Sequence, residues 1–84
     1  MNSKTHGRGN EAIRNSLEKL AEKWPSTVVA RSQISKFSGG LVAPGTCANL
    51  DSLGVGIPGA CRIGRQVAYP VEAVINWLIS RAEA

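Results

Sequence analysis

Apolar side chains recur along the first third of the chain at three- and four-residue spacing. Ile13, Leu17, Leu20 and Trp24 make one stripe, which is the period of an amphipathic helix. Pro25 ends it, because proline pushes the residue before it out of helical backbone. Asn10 is placed to cap the start, with Glu11 in the first turn, where the helix dipole favours a carboxylate. The spacing predicts a helix over 11–24. Its other face, with Arg14, Glu18, Lys19, Glu22 and Lys23, mixes both signs of charge and reads as a solvated surface. Residues 1–9 have no apolar period and are expected to form a polar tail.

Val28 and Val29 predict a short extended stretch, followed by about two helical turns over 31–38 with Ile34 and Phe37 inward. Gly39 and Gly40 stop that helix, since glycine accepts the left-handed conformation of a C-terminal cap. Leu41 and Val42 are expected to pack into the corner. Pro44 suits the first turn of a third helix, continued by Thr46, Cys47, Leu50 and Leu53 as far as Gly54. Two short helices about a glycine-containing turn make a helix-turn-helix candidate.

The segment GVGIPGACRIGRQVAYP then excludes helix. Gly64-Arg65 fits a two-residue turn between strands near 60–63 and 66–69, with Arg62 opposite Val67 and Ile63 opposite Gln66. Pro70 opens a last helix to about 81, in which Val71, Val74, Ile75 and Leu78 share a face that Trp77 and Ile79 widen. The expected core comprises Trp24, Ile34, Phe37, Leu41, Leu50, Leu53, Val74 and Leu78. The fold class is therefore mostly α with one small β-hairpin. Its element order describes a winged helix-turn-helix with an extra N-terminal helix, as one domain over 10–84.

Length narrows the possibilities further: 84 residues, 43% of them hydrophobic, allow one core and no second domain. No apolar run approaches the roughly 18 residues that cross a bilayer, and the first ten residues lack a signal peptide's apolar stretch. A cytoplasmic chain with no membrane partner is expected. Cys47 and Cys61 are then free thiols in small-residue settings, read as buried packing positions. His6 is the one histidine, so a Cys/His metal site or nucleophilic pair lacks residues. No nucleophile elbow, phosphate loop or zinc-protease motif occurs. The carboxylates fall mostly on helix faces expected to be exposed. No enzyme activity, cofactor or metal is expected.

Ten Lys plus Arg against six Asp plus Glu give a formal charge of +4, which suits a polyanionic partner. The stretch KFSGGLVAPGTCANLDSLGVGIPGACRIGRQVAYPVEAVINWL resembles the phage excisionase and AlpA-type regulators, relatives of MerR DNA-binding domains. The resemblance covers about residues 28–81. It places Gly40-Leu41 at the helix-turn-helix turn, Thr46 early in the recognition helix, Gly54 at its stop and Pro58 at the opening of the wing. Ile63-Gly64-Arg65 matches the wing hairpin, Tyr69 the aromatic anchor and Trp77-Leu78 the closing helix.

The resemblance implies a small double-stranded DNA-binding protein, either a transcriptional regulator or an architectural factor in recombination of a mobile element. Arg31, Lys36, Arg62 and Arg65 are the candidate phosphate contacts. Asn49 is the candidate base reader, with Thr46 on a phosphate or a thymine methyl, and Gln66 is a further candidate on the wing. The third helix carries no Lys or Arg and contains Asp51. That carboxylate repels phosphates unless it accepts a cytosine amino proton or caps local backbone. So few contacts imply weak binding alone, and hence a homodimer, tandem sites or a recombinase partner. The alternative is a winged-helix protein-interaction module that has lost its DNA contacts.

Overall fold

The computed structural model describes residues 11–82, so the cap at Asn10 and the tail over 1–9 lie outside the described residues. Helix α1 covers residues 11–18, Lys19 interrupts it, and α2 resumes over Leu20–Lys23. The interruption divides the expected helix over 11–24. The Lys19 N–H lies 3.3 Å from the Asn15 carbonyl and 3.2 Å from that of Ser16, so the ladder tightens there without being lost. Trp24 turns extended, with φ −100° and ψ 127°, as the residue before a proline must.

Next come strand β1 (Val28–Ala30), a 3₁₀ turn (Arg31–Gln33) and α3 (Ile34–Phe37). The last helical turn of α3 closes on glycine. The Gly40 N–H reaches the Ser35 carbonyl at 2.8 Å and the Gly39 N–H that of Lys36 at 3.4 Å. Gly39 takes φ 69°, the left-handed backbone this cap demands. Helix α4 (Pro44–Ser52) begins with Pro44 in its first turn and ends in the same pattern, with Gly54 at φ 77°. Between α3 and α4 the chain is held by buried Ser38, whose hydroxyl accepts the Val42 N–H at 3.1 Å.

Strands β2 (Cys61–Ile63) and β3 (Gln66–Pro70) form the expected hairpin, in the expected register of Arg62 with Val67 and Ile63 with Gln66. Gly64 has φ 62° and Arg65 does not have positive φ, which fits a two-residue turn with glycine at its first central position. The hairpin is not the whole sheet. Val28, Val29 and Ala30 pair antiparallel with Pro70, Tyr69 and Ala68, giving three strands in the order β1-β3-β2. Helix α5 (Val71–Ser80) follows from Pro70 and buries Val71, Val74, Ile75 and Leu78. Its start is tied to the residue before β1 by the Val71 N–H on the Thr27 carbonyl, at 2.9 Å.

One core collects Leu17, Val29, Ile34, Phe37, Val42, Cys47, Ile57, Tyr69 and the inner face of α5. Trp24, half-buried, meets Phe37 edge to face with ring centroids 5.3 Å apart and donates from its indole N–H to the Val28 carbonyl at 2.9 Å. Three expected core residues are corrected. Leu41 is 63% exposed and Leu53 66% exposed, while Leu50 is only half-buried. The turn after α3 points Val42 inward in place of its neighbour Leu41. Leu53 caps α4 beyond its last inward position, and buried Ile57 from the following loop serves the core instead. Among the described residues, no helix is long and apolar enough to cross a membrane.

Candidate functional site

Helix α4 turns two different faces to its surroundings. Cys47 is buried under it, and burial pushes its thiol pKa up. On the outer side Thr46 and Asn49, one helical turn apart, stand exposed with Gly45 and Ser52 around a shallow concavity. The expected base-reading pair is therefore on one surface and open to solvent. No charged side chain lines that concavity.

Asp51 does not face solvent as an isolated carboxylate. Its Oδ2 accepts from the Arg31 guanidinium at 2.6 Å and from the Tyr69 hydroxyl at 2.7 Å, while the Arg31 Nε–H donates to the Tyr69 oxygen at 3.0 Å. Three elements meet in this closed set: the 3₁₀ turn, α4 and β3. Gly56 completes it, because a Cβ there would collide with the Asp51 carboxylate and press on its backbone nitrogen. Tyr69 is fully buried. Burial, then its hydrogen bond to Asp51, pushes the phenol up to about 12. The Arg31 guanidinium is raised above its ordinary value by its bonds to Tyr69 and then Asp51.

This arrangement changes the expected roles of two residues. Arg31, a candidate phosphate contact, has its charge engaged within the protein. Asp51, expected to repel a polyanion or cap local backbone, is instead paired and half-buried. The signal that bears on it in the sequence is Tyr69, since a tyrosine taken fully into a core requires a partner for its hydroxyl.

The hairpin carries the remaining candidates. Arg62, Arg65 and Gln66 are all exposed. Arg62 donates from Nε to the Gly64 carbonyl at 3.3 Å, which folds its side chain along the turn. Gln66 accepts from the Ser32 hydroxyl at 3.4 Å and links the hairpin to the 3₁₀ turn. Arg31, Asp51 and Arg62 line one cleft between the end of α4 and the hairpin. Lys36 is exposed on α3 and lines none of these concavities.

Cys61 is exposed, correcting its expected burial; β2 is an edge strand whose three residues are all exposed. Both cysteines are free thiols. Among the described residues, no group of three or more His, Cys, Asp or Glu is placed to hold a metal ion. No family model, no curated protein and no solved structure matches the chain.

Proposed function

We propose that this chain is a small double-stranded DNA-binding protein of winged helix-turn-helix architecture. Helix α4 enters the major groove and the β2–β3 hairpin lies as a wing along the neighbouring backbone and minor groove. One observation carries this: Arg62 and Arg65 stand exposed on a hairpin at the end of α4, and the outer face of α4 is polar and holds Thr46 and Asn49. The arginines supply backbone attraction, which positions a protein without reading sequence. Asn49 supplies the amide edge that pairs with adenine, and Thr46 a hydroxyl and methyl. The resemblance to excisionase and AlpA-type regulators points to a regulator or architectural factor of a mobile element. A single domain with so few contacts works through dimerisation, tandem sites or a recombinase.

Arginine and asparagine substitutions separate these roles. Arg62→Ala and Arg65→Ala each weaken binding to every duplex alike and make the salt slope of log affinity shallower by about 0.9, one contact's worth of counterion. Asn49→Ala costs about 1–3 kcal/mol at the preferred sequence and little elsewhere. Arginine variants that leave both affinity and slope unchanged would overturn the proposal.

A second reading has its own observation. Ile13, Leu17, Leu41, Val42, Trp77 and Leu78 line a largely apolar groove that Thr46 and Arg81 also border, and Leu41 and Ile13 are exposed along it. A protein-interaction module uses such a groove. It predicts loss of a protein partner, and no change toward DNA, on Leu41→Glu.

A further inference from the structure

We propose that Arg31 is the internal counter-ion of Asp51, withdrawn from the phosphate backbone, and that with Tyr69 the pair locks the end of α4 so that this helix meets DNA carrying no net charge. This rests on the DNA-binding function above and assigns its uncharged helix a physical basis. Asp51 is the sole charged residue of α4. Unpaired, it would set a negative charge two residues beyond Asn49 on the same short helix and repel the duplex. Paired at 2.6 Å with Arg31, its field is cancelled within one side-chain length, beyond which little remains for a phosphate to sense.

Geometry makes the pairing more than a surface contact. Oδ2 receives both the guanidinium and the Tyr69 hydroxyl, and Tyr69 in turn receives the Arg31 Nε–H. Each member therefore fixes the other two. The set joins α4 to β3 and to the turn leading into α3, so it sets the angle at which Thr46 and Asn49 are presented. Glycine at position 56 lets the loop after α4 pass directly over the carboxylate. Arg31 is a positioning residue here, and Lys36, Arg62 and Arg65 are left to touch phosphate.

A double-mutant cycle read by salt dependence tests this. The probe is a random-sequence duplex, titrated at several ionic strengths with wild type, Arg31→Gln, Asp51→Asn and the two combined, each checked for folding by thermal melting. The charge-neutral double variant keeps the wild-type salt slope, because the pair's net charge is zero in both proteins. Asp51→Asn alone frees Arg31 and steepens the slope by about 0.9. Arg31→Gln alone bares the carboxylate and weakens binding at least about tenfold.

If instead the double variant loses about 0.9 of slope, as Arg62→Ala does, Arg31 holds a phosphate and the proposal is overturned. Should the double variant unfold, Asp51→Asn decides: a steeper slope supports the pairing and an unchanged one overturns it. Wild type that binds no duplex defeats the DNA function and this proposal together. Wild type that binds while the cycle fails defeats the counter-ion role alone.

Discussion

A phenol taken fully out of water keeps its proton unless a cation or donor repays the lost hydration, and at Tyr69 the bond from Arg31 is outweighed. Burial and the Asp51 carboxylate both favour its neutral form and place its pKa near 12. An unfolded tyrosine titrates near about 10. The folded state therefore binds this proton more tightly, and Tyr69's contribution to stability is complete below about pH 10 and lost as pH rises toward 12. As the one tyrosine in the chain, Tyr69 can be followed directly by the ultraviolet absorbance of its phenolate. The expected midpoint lies well above that of a free phenol; a midpoint near 10 would mean that Tyr69 is not buried against Asp51. Cys47 contributes in the same direction, its buried thiol raised as well. Tyr69 as an apolar anchor is legible from its place beside periodic apolar residues. Its partner is not, because Asp51 lies eighteen positions away in sequence and nothing local marks it.

Helices, hairpin and register follow from periodicity and turn chemistry, since both are local. Gly39 and Gly54 end α3 and α4 by the same pair of backbone bonds, and Gly64 opens the hairpin turn. What is not legible is whatever depends on distant chain. Val28–Ala30 reads as an extended stretch, but its pairing with β3 joins residues about forty positions apart. Leu41 and Leu53 continue apolar patterns yet face outward, because where a helix ends decides which way its last side chains point. Packing and exposure are separable by stability. Phe37→Ala should cost about 3–5 kcal/mol, since it removes a buried ring packed edge to face on Trp24. Leu53→Ser should fall within about 0.5 kcal/mol of wild type. Chemical denaturation measures both, and equal losses would contradict the core. The edge position of β2 also gives Arg62 a structural use, because a charge on an open strand discourages pairing with another chain.

At the scale of the whole molecule, charge and shape divide between two surfaces. One is polar, made of the outer face of α4 and, separately, the cleft beside Arg62; the other is the apolar groove lined from α1, the turn before α4, Thr46 of α4, and α5. Under the proposed function the first meets a duplex, and under the second reading the groove meets a protein partner. The formal charge of +4 is modest, and Arg31 spends its own share internally. That leaves Lys36, Arg62 and Arg65 as the exposed cations expected on phosphate among the described residues. Binding of wild-type protein to a random-sequence duplex, titrated across ionic strength, tests the account most directly. Three contacts predict a slope of log affinity against log salt of about −2.7 or steeper. No binding at low ionic strength, or affinity independent of salt, would contradict it.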